Sequence, residues 1–177
     1  SMELNERLKR TIRDVNDFPK EGIVFKDISP IMQDATLCQE IITELTQKYR
    51  TLSLNGIAGI ESRGFLFGFP LAVALGIPFI LIRKQGKLPY KKISQAYDLE
   101  YGSAVIEMHE DAIRPGDRIL IHDDLLATGG SAAAAAELIQ KCGGVVAGFD
   151  FLVELSFLEG RHHLSSYSVP IEHLISY

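Results

Sequence analysis

The stretch Ile119-Leu120-Ile121-His122-Asp123-Asp124-Leu125-Leu126-Ala127-Thr128-Gly129-Gly130-Ser131 decides how this chain folds. An apolar run of strand character ends in two adjacent carboxylates, and a small, hydroxyl-rich turn then opens a helix. The turn Ala127 to Ser131 presents consecutive backbone N–H groups at a helix N-terminus, where the helix dipole also favours an anion. Gly129 and Gly130 permit positive φ and let a phosphate approach the backbone, while Thr128 and Ser131 add hydroxyl donors. Asp123 and Asp124 fall at the carboxyl end of the strand, where open parallel sheets bind ligands. Carboxylates would repel the phosphate itself, so they read as acceptors for sugar hydroxyls or holders of a hydrated cation. A helix cap with two solvated aspartates explains the Asp-Asp pair alone, but not its place between a buried strand and Thr-Gly-Gly-Ser. Neither Gly-x-x-x-x-Gly-Lys-Ser/Thr nor Gly-x-Gly-x-x-Gly occurs, which argues against a P-loop nucleotidase and a dinucleotide enzyme.

Outward from this stretch the cadence is strand, polar turn, helix, glycine, strand. A helix is predicted from about Ser131 to Cys142, stopped by Gly143-Gly144, with an apolar strand from Val145 to Leu152. Earlier, Gly56 to Ile60 reads as a strand ending in Glu61-Ser62-Arg63-Gly64. A helix from Phe65 to Leu75 and a strand Phe79 to Ile82 follow across Gly76 and Pro78. Near-continuous apolar strands point to a parallel sheet covered on both faces, so the fold class is α/β with a Rossmann-like central parallel sheet flanked by helices. Apolar spacing predicts further helices over about 3–15 and from Thr36 to Arg50. Lys84 to Gly102 is polar, basic and aperiodic over about 19 residues, read as a long flexible catalytic lid in preference to a hairpin.

The chain has 177 residues, enough for one domain (1–177) with a real core, since folding at this size buries roughly 70% of the open chain's surface. With 18 basic and 23 acidic residues the net charge is −5, so no global positive field draws it to nucleic acid. No apolar run approaches the roughly 18 residues of a membrane span, and the charged opening Met2 to Arg7 does not resemble a secretory leader. Two cysteines, Cys38 and Cys142, exclude a disulfide framework and fit a reducing compartment, so a cytoplasmic location is expected. His162-His163 and His173 lack metal-ligand spacing, and no direct side-chain metal site is expected. His122 reads as a satisfied core histidine.

The segment Ile119–Ser131 resembles the phosphoribosyl pyrophosphate signature of type I phosphoribosyltransferases. Asp17-Phe18-Pro19, Gly22 to Pro30, Glu61 to Gly68, Ile82 to Pro89 and Leu99-Glu100-Tyr101-Gly102 are similar, in order, to blocks of the adenine-specific branch. The resemblance implies transfer of a phosphoribosyl group from phosphoribosyl pyrophosphate to adenine, giving AMP and pyrophosphate, by a homodimer using Mg²⁺. It implies that Ala127, Thr128, Gly129, Gly130 and Ser131 cradle the 5-phosphate and that Asp123 and Asp124 hold the ribose hydroxyls. Glu61, Ser62, Arg63, Arg83 and Lys87 would bind pyrophosphate, the 61–64 turn through a peptide that is often cis. Val24, Phe25 and Lys26 would read adenine under a small hood, backbone to the base edge and Phe25 on its face. Many relatives carry arginine where Lys26 stands, and threonine where Ser131 stands. Glu100 would manage the imidazole proton, with Tyr101 helping the lid close. The alternatives are a xanthine or hypoxanthine-guanine transferase, or a non-catalytic sensor of phosphoribosyl pyrophosphate. The last would need an effector surface that a −5 chain does not offer.

Overall fold

The structure, a computed structural model, describes residues 2–99 and 101–177. It divides into two compact units, Ser1–Gln47 and Lys48–Tyr177. In the first, α1 (Met2–Thr11) leads into a hairpin of β1 (Arg13–Asn16) and β2 (Val24–Asp27), and α2 (Ala35–Tyr49) follows a 3-10 turn. Asp34 caps α2 by accepting the Leu37 N–H at 3.0 Å, and Leu37, Ile41 and Leu45 form its buried stripe. The helix expected over 3–15 ends at Thr11 instead. From Arg13 the backbone pairs antiparallel with β2, setting Val15 opposite Phe25, so Val15 belongs to a strand despite its helical spacing from Ile12.

The second unit contains β3 (Gly56–Ile60), α3 (Gly64–Leu75), β4 (Phe79–Lys84), β5 (Lys92–Asp98), β6 (Ser103–His109), β7 (Arg118–Leu126), α4 (Gly130–Lys141), β8 (Val145–Glu154), α5 (Gly160–Leu164) and β9 (Ile171–Ser176). Its seven-stranded sheet has the order β5-β6-β4-β3-β7-β8-β9. The five strands from β4 to β9 are parallel, while β6 runs antiparallel to β4 and β5 antiparallel to β6. Every residue of β3 is buried, as is β8 beyond Val145, which is why both read as near-continuous apolar runs, broken in β8 only by Asp150 and Glu154. From β3 the chain crosses by α3 to β4 on one side, and from β7 by α4 to β8 on the other. The strand order therefore reverses between β3 and β7, and the two crossover helices take opposite faces. The loops after these two strands are where a ligand belongs.

The lid expected over 84–102 is corrected at its centre. Lys92–Asp98 form β5, paired along its whole length with Ser103–His109, and the Leu99 N–H donates to Gly102 O at 3.0 Å across the turn. Ile93 and Tyr97 point inward and pack on the core that α4 covers. The aspartates also stand inside β7 rather than beyond it, since the strand runs on to Leu126.

Candidate active site

Two neighbouring loops build the site from opposite chemistry. After β7, Ala127–Gly129 lead into α4, and Gly129 takes φ +87, a left-handed conformation that strains any side-chain-bearing residue. Among the described residues no side chain caps α4. Its first intrahelical bond runs from the Ala133 N–H to Gly129 O at 2.9 Å, leaving the first-turn N–H groups for an outside acceptor. Residues Leu125–Ala132 and Phe151 line a small pocket there. Just before it, Asp124 is buried and accepts the Arg63 Nε–H at 2.6 Å, and the Asp124 N–H donates to Asp123 Oδ1 at 2.8 Å. Burial, and then the neighbouring Asp124 charge, push the Asp123 carboxyl well above its ordinary range. A crowded acid of this kind gains from hydroxyl donors or a cation.

After β3, the Glu61–Ser62 peptide is cis, in keeping with the family pattern. The Glu61 side chain is turned into the protein and gathers the cations around it. The Lys84 N–H donates to it at 2.6 Å, Lys87 Nζ at 3.3 Å and Arg83 Nη2 at 3.5 Å. Burial alone would raise the Glu61 carboxyl, but these bonds and the Arg83 charge outweigh it and hold it below its ordinary value. Arg83 Nη1 also donates to Lys87 O at 3.4 Å, while its buried Nε lies 3.4 Å from Glu61 Oε1 and has no hydrogen-bond partner among the described residues. Arg63 is half exposed and Lys87 likewise, so both present charge outward while tethered. The turn 61–64 joins the two clusters: Glu61 organises Arg83 and Lys87, and Arg63 reaches Asp124.

These contacts define a cradle of neutral backbone donors beside an array of tethered cations, at the point where strand order reverses. The phosphoribosyl transferase domain model matches residues 27–154, which include both loops. The chain is 49% identical over 174 residues to the adenine phosphoribosyltransferase of Cytophaga hutchinsonii, covering 98% of this chain and 96% of that protein.

The chain belongs to the adenine phosphoribosyltransferase family.

Solved structures of the family agree. The enzyme of Thermoanaerobacter pseudethanolicus superposes with a TM-score of 0.94 at 46% identity, covering 98% of this chain and 99% of that one. The Saccharomyces cerevisiae enzyme, complexed with adenine and an imino-altritol bisphosphate, gives 0.91 at 39% identity over 98% and 99%.

Against the family pattern, the second unit brings together Glu61, Ser62, Arg63, Arg83 and Lys87 on one side. Asp123, Asp124 and Ala127–Ser131 stand on the other. Val24, Phe25 and Lys26 lie in the first unit. There Val24 is exposed, Phe25 meets the Phe18 ring edge-on at 5.2 Å, and Lys26 Nζ donates to Asp14 Oδ1 at 2.7 Å. Glu100 lies outside the described residues, and Tyr101 is exposed.

Three features escaped the sequence reading. Buried Glu107 accepts the Gly86 N–H and the Ser94 hydroxyl, each at 2.8 Å, and so pins the turn carrying Lys87 to the hairpin. The Gly86 bond, set against burial, helps hold its carboxyl below the ordinary range. Tyr97 stands over the cradle: a Cβ at Gly130 would lie 3.5 Å from its ring. Burial, and then Asp123, raise its phenol. The third is buried Asp150, whose Oδ2 lies 2.8 Å from Nδ1 of His122; that histidine is fully buried as expected but only half satisfied, since among the described residues its Nε2 has no hydrogen-bond partner. Asp150 also accepts the Tyr49 hydroxyl.

Proposed function

We infer that this protein is a pentosyltransferase of purine salvage, moving the 5-phosphoribosyl group of phosphoribosyl pyrophosphate onto adenine to give AMP and pyrophosphate. The observation that carries the reading is the pairing of two unlike anion sites across one sheet switch point, a backbone cradle after β7 and tethered cations after β3.

Ala127–Ser131 hold the 5-phosphate, which stays with the product, and Asp123 and Asp124 accept hydrogen bonds from the ribose hydroxyls. The C1–O bond to pyrophosphate breaks as the C1–N9 bond to adenine forms on the opposite face. Charge then develops on the departing pyrophosphate, where Arg63, Arg83 and Lys87 meet it with Ser62 and the 61–64 turn. Glu100 takes the imidazole proton that adenine must lose, and Tyr101 closes over the site. Val24 and Phe25 supply the base site with the backbone of Lys26, whose side chain is engaged by Asp14. A backbone carbonyl accepting from the 6-amino group and an N–H donating to N1 would leave an oxopurine with unpaired polar groups.

Mg²⁺ fits this site as a companion of the ligand. Among the described residues no three His, Cys, Asp or Glu side chains converge into a metal cage, whereas the crowded Asp123–Asp124 pair suits a cation shared with the substrate. When bound, the ion supplies charge neutralisation to pyrophosphate. Residues 1–177 act as a single phosphoribosyltransferase domain. A homodimer is supported by the apolar stripe Leu66, Phe69 and Val73 exposed along α3, and by exposed Leu81 on β4. The same reading assigns the enzyme to the reducing cytoplasm, where Cys38 and Cys142 remain free thiols; no helix among the described residues is long and apolar enough to cross a membrane.

The test is a product assay with phosphoribosyl pyrophosphate and Mg²⁺, offering adenine, hypoxanthine, guanine and xanthine separately. AMP from adenine, with no product from the other three, is expected. Turnover of an oxopurine would overturn the base assignment. Binding of phosphoribosyl pyrophosphate without turnover of any base would make the protein a sensor.

A further inference from the structure

The part of the second unit after β8 carries no assigned role, yet it holds the phosphate cradle from behind. A Cβ at Gly129 would lie 2.8 Å from Gly160 O and 3.1 Å from the His163 Cβ. A Cβ at Gly160 would lie 2.4 Å from Ala127 O and 2.8 Å from a methyl of Leu126. Two backbones therefore interlock where neither residue carries a side chain. His163 Nδ1 stands 3.2 Å from Thr128 O, and since a carbonyl only accepts, the ring donates that bond. The cradle's rear wall is thus α5 and its lead-in, not solvent.

A five-residue helix has little stability of its own, so something must hold α5 in place. Arg161 does so. Its Nε donates to both carboxylate oxygens of Glu154 at 2.9 Å, and its Nη2 donates to Ile171 O at 2.8 Å. Glu154 is buried at the end of β8, in register with Leu126, the residue that enters the cradle. His173 Nδ1 lies 3.0 Å from both Glu154 Oε1 and Arg161 Nη2. One guanidinium thereby ties α5 to β8 and β9 at the level of the phosphate loop.

We propose that Arg161 and Glu154 are positioning residues for the retained 5-phosphate, locking α5 against Ala127–Thr128–Gly129 so that the loop N–H groups keep the geometry the phosphate needs. The inference rests on the functional reading above. Neither residue belongs to the Ala127–Ser131 loop itself; both act through α5. Lysine at 161 would keep the charge but cannot span the carboxylate and Ile171 O together.

The experiment measures Kd for ribose 5-phosphate and for pyrophosphate separately, by calorimetry, on full-length wild type, Arg161→Lys, Glu154→Gln and, as a control, Arg118→Lys. Arg118 bonds Leu52 O and Ser53 O at the start of β7, at the other end of the strand from the cradle. The expected result is a roughly tenfold loss for ribose 5-phosphate in Arg161→Lys and Glu154→Gln, because small displacements of a positioned group are costly. Pyrophosphate affinity should stay within about twofold, and Arg118→Lys should leave both ligands within about twofold. Equal weakening of both ligands would reduce the contact to general stability and overturn the proposal, as would unchanged ribose 5-phosphate binding. Should one of the two variants fail to fold, the other decides. Wild-type protein that binds no ribose 5-phosphate would overturn the functional reading itself, and the proposal with it.

Discussion

On the proposed function, the loop after β7 and the loop after β3 face the same class of anion and solve it differently. The first offers neutral donors: helix N–H groups, two hydroxyls, and a left-handed Gly129 wedged against Gly160. The second offers full charges, Arg83 and Lys87, each leashed to Glu61, and Arg63 leashed to Asp124. On that reading, the difference follows from what each phosphate does. The 5-phosphate keeps its charge through the reaction and needs placement, which rigid backbone supplies. Pyrophosphate gains charge as its bond breaks, and preorganised cations stabilise that change more than the ground state.

The comparison can be broken at its rigid half first. Gly129→Val puts a branched side chain at φ +87 and into Gly160 O. A loss of about two orders of magnitude in kcat/KM for phosphoribosyl pyrophosphate is expected, read by steady-state kinetics beside a thermal melt. A change under about threefold in a folded variant would mean the cradle does not hold the phosphate. Next comes the charged half. Arg83→Gln should lower kcat by roughly 10- to 100-fold while ribose 5-phosphate affinity holds, because its charge acts where charge develops. A rise in KM alone would make Arg83 a ground-state binder.

The smallest effect concerns Glu107, which tethers the Gly86 turn from a buried position. Its carboxyl is held below its ordinary value in the folded chain. It therefore contributes stability above the unfolded value of about 4.3, and that contribution is lost as pH falls through the lower folded value. Glu107→Gln should be less stable than wild type near neutrality, and the gap should narrow below about pH 4.3 in denaturant melts. A gap constant across pH would show the charge to be irrelevant.

How much of this could be read from residues alone varies with how local the signal is. The β7–α4 loop was legible because strand, carboxylates, glycines and helix are contiguous. The βαβ units were legible because buried strands are apolar along most of their length, a few charged positions such as Asp150 aside. The hairpin of β5 was not. Its inward positions are Ile93, Gln95 and Tyr97, and the central glutamine breaks the apolar alternation while accepting from Lys141 Nζ at 2.6 Å. Glu107 was invisible because its partner Gly86 is 21 residues away, and a single carboxylate in Ala104–Met108 carries no pattern. Asp150 beside His122 emerges only from the β7–β8 register. Val15 shows the reverse error, since helical spacing persists into a strand once a pairing partner takes the backbone bonds.

The most direct measurement is the salt dependence of two binding constants on wild-type protein, ribose 5-phosphate and pyrophosphate, each titrated from about 0.05 to 0.5 M NaCl. Exposed side-chain charges are screened over this range, because the Debye length contracts to a few ångströms. Backbone donors packed against α5 carry no net charge to screen. Pyrophosphate affinity is predicted to fall several-fold more steeply than ribose 5-phosphate affinity. Parallel slopes, or a steeper one for ribose 5-phosphate, would contradict the division between a backbone cradle and a charged one.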